Sequence, residues 1–205
     1  MHKEVLTKKQ IELLPLINNF KNDYFLVGGT AIALYLGHRR SIDFDLFTYQ
    51  NIKKRTIKNT IEKNGFYVEK NIFEDYEQLH LIVNSIKLTF FQFNHKIPHT
   101  IKFDNIIKIP SLLDLAGMKA YALGGRAKWK DYVDLYFIIK YKYSLKEISK
   151  KAKELFDNFF NEKLFLEQLS YFEDIDFTEH IEYINKPIPK QKIKNFLIEI
   201  STRSF

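Results

Sequence analysis

The chain has 205 residues, no cysteine, and 32 basic against 25 acidic side chains, for a formal net charge of +7. The length fits one domain, or one core with a helical appendage, and the missing cysteines exclude disulfide scaffolds, thiol nucleophiles and thiolate zinc sites. No apolar run approaches the ~20 residues that span a bilayer, so a soluble, cytoplasmic protein with no membrane partner is expected.

In chain order, Thr7 can cap a helix running to Asn19, with Ile11, Leu14 and Ile17 at helical spacing. Tyr24 to Val27 reads as a buried strand ending in the turn Gly28-Gly29. Thr30 can cap a short helix through Leu36, closed by Gly37. Ile42 to Phe47 alternates, with Ile42, Phe44 and Leu46 on one face and Asp43, Asp45 and Phe47 on the other. Lys53 to Lys63 is a polar helix. Strand-like runs follow at Phe66–Ile72, Gln78–Val83 and Ile86–Phe93, the last two joined by the turn Asn84-Ser85. Ile101 to Ile109 is extended. Ser111 then caps a helix to Leu123, which Gly124-Gly125 breaks, and Lys130 to Tyr141 forms the next helix. The remainder, over 145–169 and 190–200, is helical. This order predicts an α+β core of about five strands in residues 1–110, followed by a helical region, 111–205, that completes the cleft.

Only five of the basic residues are arginine, and only seven residues are glycine, in a chain rich in Lys, Ile, Asn, Phe and Tyr. Arginines and glycines run against that bias, so their positions carry more information than the net charge. The charge itself is uneven: residues 1–110 carry +5, 111–153 carry +6, 154–185 carry −8 and 186–205 carry +4. Either the basic portion attracts a polyanion or these are ordinary solvated faces.

Two constellations carry chemistry. The first is Gly28-Gly29-Thr30 followed by Asp43-Phe44-Asp45. Aspartates at i and i+2 of a strand share a face, and their carboxylates can share divalent cations. A glycine doublet lets backbone amides approach phosphate, aided by the helix terminus that follows. The second is Lys119, Arg126, Lys130, Asp131 and Asp134, spaced K-x6-R-x3-K-D-x2-D-L. Its cations complement a triphosphate or an RNA backbone; alternatively Asp131 and Asp134 neutralise Arg126 and Lys130 in an internal ion-pair network.

The string from Val27 to Ala31, together with Gly37-His38-Arg39-Arg40-Ser41-Ile42-Asp43-Phe44-Asp45-Leu46-Phe47, resembles the first motif of nucleotidyltransferases with a DNA-polymerase-β-like core. It looks most like the AbiEii/AbiGii-type toxin family, whose second motif is similar to the cluster at 119–135. The resemblance implies that Gly28, Gly29 and Thr30 contact the phosphates of an NTP. It implies that Asp43 and Asp45 bind magnesium or manganese, and that Lys119 binds nucleotide phosphate. It makes Asp131 a base or organiser for the acceptor hydroxyl. Arg126, Lys130 and one of Arg39 or Arg40 would add phosphate contacts. It further implies transfer of a nucleoside monophosphate to an acceptor such as tRNA or another RNA, with an antitoxin protein as partner.

The pattern departs at one place. Active enzymes of this type usually carry a third carboxylate on a neighbouring strand, and here Thr89 stands where it is expected. That substitution keeps open a catalytically weak or inactive nucleotide- or RNA-binding protein. The acidic stretch keeps open an aminoglycoside-type, small-molecule nucleotidyltransferase. His80, His95 and His99 lack metal-ligand spacing and read as structural.

Overall fold

The computed structural model describes residues 1–125 and 128–203. The chain divides into two compact units, Met1–Ser111 and Leu112–Phe205.

The first unit is built on a mixed seven-stranded sheet. Its strands are β1 (Phe25–Val27), β2 (Phe44–Thr48), β3 (Lys70–Glu74), β4 (Gln78–Val83), β5 (Ile86–Gln92), β6 (Ile101–Phe103) and β7 (Ile107–Ile109), in the order β3-β4-β5-β2-β1-β7-β6. The sheet has two strands more than expected. The extended run 101–109 folds back as a hairpin, turning at Asp104 with φ 49°. The third strand also begins later than Phe66; β3 is exposed throughout, so no buried alternation marks its start. Asn84 and Ser85 both take positive φ, the conformation of a tight hairpin turn matched to strand twist.

Helices α1 (Lys8–Asn18), α2 (Gly28–Leu36) and α3 (Lys54–Lys63) complete this unit. Thr7 caps α1 in a reciprocal capping box with Gln10. Leu13, Leu16 and Ile17 are its buried stripe, whereas Ile11 is exposed. Just past α1, Phe20 meets Phe90 of β5 edge-on, with ring centroids 5.0 Å apart. One sheet face is therefore core: Leu26, Phe44, Leu46, Leu79, Leu81, Leu88 and Phe90 are fully buried. The alternating residues Asp45 and Phe47 on β2 are half-buried on the opposite face. Ile42 does not join the core row. It precedes β2 and is 59% exposed.

The second unit is helical: α4 (Leu112–Leu123), α5 (Trp129–Tyr141), α6 (Leu145–Phe156), α7 (Glu162–Ser170) and α8 (Lys190–Thr202). Gly117 lets α4 and α6 approach closely; a Cβ there would lie 3.1 Å from the Ala152 backbone nitrogen. Tyr121 and Phe156 stack beside that crossing at 4.1 Å. Among the described residues no helix is long and apolar enough to cross a membrane.

Candidate functional site

The glycine turn is the pivot of the first unit. Buried β1 runs straight into α2, which starts at Gly28, two residues before the expected cap at Thr30. Gly28 has φ +73°, a left-handed backbone that side chains disfavour. A Cβ at Gly28 would also collide with the carboxylate of Asp45. Gly29 is crowded differently: its Cβ would lie 2.8 Å from Arg39 Nη2 and 2.9 Å from Ser41 Oγ. Val27, the N-cap of α2, gives no side-chain bond to the first turn. The positive end of α2 therefore meets a carboxylate and a guanidinium with no side chain of its own between them.

Thr30 is buried within the first turn of α2. Its hydroxyl donates to the carbonyl of Asp43, and to that of Ser41 at 3.3 Å. Thr30 thus clamps the loop that leads into β2. Gln10 clamps the same loop from α1, donating from Nε2 to the Ser41 carbonyl at 2.7 Å. The sequence signals only half of this. Thr7-x-x-Gln10 is a legible capping box, but the second use of the amide is a tertiary contact.

Asp43 and Asp45 are both half-buried, on either side of fully buried Phe44. Strand register puts Asp45 in a row across the sheet. Val27 pairs with Asp45, Asp45 with Thr89, and Thr89 with His80. Thr89 therefore stands beside Asp45 on the neighbouring strand. Its Oγ1 is buried without a hydrogen-bond partner. An orphaned buried hydroxyl costs about 1–3 kcal/mol. At the end of the row, burial and the nearby charge of Lys87 push the His80 imidazole down, against the opposing pull of Asp45 and Asp75. Its Nε2 pairs with Gln78 at 3.0 Å.

This donor set fits a hard divalent cation that is shared with substrate. Among the described residues there is no cluster of three or more His, Asp or Glu suited to a metal. Two carboxylates suit an ion such as Mg²⁺, which binds through one or two carboxylates and completes its shell with phosphate and water. The orphaned Thr89 hydroxyl beside Asp45 is a further oxygen able to partner that shell.

The two neighbouring arginines separate. Arg39 is buried, reaches Gly29 with Nη2, and donates from Nη1 to its neighbour's carbonyl, Arg40 O, at 2.9 Å. Arg40 turns to the N-terminal segment and donates to the carbonyls of Glu4 and Leu6 at 3.1 and 3.2 Å. Arg39 is the one beside the glycine turn.

In the second unit, Lys119 of α4 lies between Asp131 and Asp134 of α5, at 2.6 and 3.2 Å. All three are buried, the aspartates completely. An internal ion network thus exists, and Lys119 is one of its cations. Lys130 points elsewhere, to Glu179 at 2.5 Å, and Lys128 reaches the same carboxyl group at 2.7 Å. Burial alone would push Glu179 up, but hydrogen bonds from Lys128 and Lys130, and their charges, bring it down to about 2. Glu179 thus ties part of the acidic stretch to the start of α5, a link that no local pattern signals. Arg126 lies outside the described residues.

Comparison with known proteins shows the family and the fold of the chain. The family described as "Nucleotidyl transferase AbiEii toxin, Type IV TA system" matches residues 16–202. An uncharacterized protein of Aquifex aeolicus strain VF5, aq_aa25, is 31% identical over 204 residues, covering 94% of this chain and 98% of that protein. MenT4, a nucleotidyltransferase toxin from Mycobacterium tuberculosis H37Rv, has a similar fold, with a TM-score of 0.59 at 13% identity, covering 94% of this chain and 81% of that one. The crystal structure of JHP933 from Helicobacter pylori is also similar, with a TM-score of 0.57 at 15% identity, covering 97% and 92%.

Proposed function

The chain belongs to the AbiEii family of nucleotidyltransferase toxins, and from that premise we propose a cytoplasmic, metal-dependent enzyme that transfers a nucleoside monophosphate from an NTP to an RNA acceptor. The carrying observation is the contact between Gly28 and Asp45. It joins a phosphate-binding turn to a metal-binding carboxylate at one point.

In this reading the acceptor hydroxyl attacks the α-phosphorus in line. A new oxygen–phosphorus bond forms as the bond to the β-phosphate breaks. Pyrophosphate leaves and the hydroxyl proton is released to solvent. Asp43 and Asp45 hold Mg²⁺ or Mn²⁺, which when bound neutralises phosphate charge and lowers the pKa of a bound hydroxyl. The amides of Gly28 and Gly29 and the terminus of α2 hold the phosphates, with Arg39 beside them. Thr30 and Gln10 keep the strand lead-in, and hence Asp43, in place. For Lys119 to bind phosphate it must first leave Asp131 and Asp134; Arg126 is a further phosphate contact in this reading. Asp131, fully buried against Lys119, serves as a positioning residue rather than as the base. For Lys130 to bind phosphate it must first leave Glu179. A cognate antitoxin is the expected protein partner.

The test incubates the protein with each labelled NTP, magnesium and total RNA, and repeats the reaction with Asp45→Ala. Label transfer to RNA that the variant loses supports the reading. Transfer only to a small amine or alcohol would replace the acceptor class. A second reading rests on the orphaned Thr89 hydroxyl: a protein that keeps the fold as a nucleotide- or RNA-binding module. No transfer with any NTP or metal, alongside measurable binding, would favour it.

A further inference from the structure

The sheet face that carries Asp45 continues one level further along the strands, about 7 Å away for two residues of β-strand. At that level the registers line up Lys102, Lys108, Phe25, Phe47 and Phe91 across five strands, because Lys102 pairs with Lys108, Lys108 with Phe25, Phe25 with Phe47, and Phe47 with Phe91. Residues paired in register project to the same face. The row is therefore two lysines followed by aromatics, directly alongside the row that holds the carboxylate.

Each part is suited to contact from outside. Lys102 and Lys108 are exposed, and neither has an acidic partner among the described residues. Phe47, Phe91 and Phe93 are half-buried and form a triangle of rings, with centroids 5.0, 5.1 and 6.0 Å apart. Phe25 is buried beneath His99, which stacks on it at 4.1 Å. Leaving three phenylalanine faces part-open beside a pair of carboxylates has no benefit for packing, since the other sheet face already holds the core. Exposed cations beside part-open aromatic rings match the chemistry of single-stranded nucleic acid, which stacks its bases on rings and lays its phosphates on lysines.

We infer that this row is a binding track for single-stranded RNA. Bases stack on Phe47, Phe91 and Phe93, and backbone phosphates lie on Lys108 and Lys102. The track ends one strand level from Asp45, so it presents the strand's terminal hydroxyl to the carboxylates. In that last respect it rests on the proposed function; the binding itself does not.

The experiment measures fluorescence anisotropy of a labelled twelve-nucleotide single-stranded RNA without NTP or metal. It compares wild type with Phe91→Leu, Phe93→Leu and Lys108→Gln, each checked by its thermal melt. Leucine keeps apolar volume but removes the stacking face. Each Phe variant is expected to weaken binding by about five- to tenfold, roughly 1–1.4 kcal/mol, the low end of base stacking because leucine keeps apolar contact. Lys108→Gln is expected to lower the slope of log affinity against log salt by about 0.7, the value for one phosphate contact on a single strand. Affinity unchanged in all three folded variants overturns the track, as does wild type that does not bind the oligonucleotide. A rise in the KM for NTP with RNA affinity unchanged also overturns it, because the rings then serve the nucleotide. If the variants weaken RNA binding while wild type transfers no label to RNA, the track stands and the proposed transfer fails.

Discussion

Asp45 and Thr89 sit side by side in the parallel register of β2 and β5, a carboxylate next to a buried hydroxyl with no hydrogen-bond partner. Two consequences pull in opposite directions. The hydroxyl is a stability cost, and the place it fills is next to the proposed metal-binding carboxylate.

Thr89→Val should therefore raise stability slightly, by up to about 1 kcal/mol, because it replaces an unsatisfied hydroxyl with a methyl of similar shape. Thr89→Asp should do the reverse in metal-free protein, because it sets a second carboxylate beside Asp45. The same variant should lower the magnesium concentration needed for half-maximal transfer. Thermal melts with and without magnesium, together with a magnesium titration of activity, check both. A Thr89→Asp protein indifferent to magnesium in both assays would remove Asp45 from the metal site.

Gly28 and Gly65 separate two effects of adding a Cβ. Both have positive φ, but Gly65 has open space around it and Gly28 faces the Asp45 carboxylate. Gly65→Ala should cost only the backbone penalty, about 1 kcal/mol. Gly28→Ala should cost about 2–4 kcal/mol, since overpacking adds to that penalty. It should also reduce transfer by at least about tenfold by displacing the carboxylate, a loss of roughly 1.4 kcal/mol in transition-state stabilisation. Urea unfolding and initial rates on the pair of variants separate the two contributions.

The buried trio in the second unit predicts a stability hierarchy. Lys119→Met leaves Asp131 and Asp134 buried without their lysine and should cost about 3–5 kcal/mol. Adding Asp131→Asn and Asp134→Asn to it should recover part of that loss, because two buried charges are removed with their lysine. Chemical denaturation of the single and triple variants measures the recovery.

Glu179 sets a pH dependence. Its pKa is depressed in the folded chain to about 2, against an ordinary value of 4.5. Depression means the ionised form is favoured by folding, so its contribution is complete above pH 4.5. That contribution is lost progressively as pH falls from there toward 2. Glu179→Gln should therefore flatten the fall in stability below pH 4.5, and leave the neutral-pH slope alone. Melting temperatures across pH 2.5–7 for the two proteins would show it.

Much of this organisation is legible in the sequence, for local reasons. The glycine doublet, the αL stop at Gly37, the Thr7 cap and the alternation around Phe44 and Leu46 are short-range patterns with direct physical causes. The β6–β7 hairpin is not legible in the same way, because its three-residue strands are too short for a period to show. The partners of charged groups were the least legible. Lys119 and Lys130 look equivalent in the motif, yet one is sealed between two aspartates and the other is held by Glu179, far along the chain. Likewise nothing near Arg39 and Arg40 says that one stays by the glycine turn while the other grips the N-terminal carbonyls. Those choices depend on which elements the fold brings together.

The division of the central sheet into a sealed face and an open one bears on how this chain can change over time. On the proposed reading, neighbouring residues along β2 and β5 answer to different selective pressures: buried Phe44, Leu46, Leu88 and Phe90 to foldedness, half-buried Asp45, Phe47 and Phe91 to substrate. A saturation scan read separately for cellular abundance and for toxicity should alternate between the two readouts with a period of two residues. Such a surface can be rewritten for a new acceptor one position at a time while the scaffold beneath stays intact.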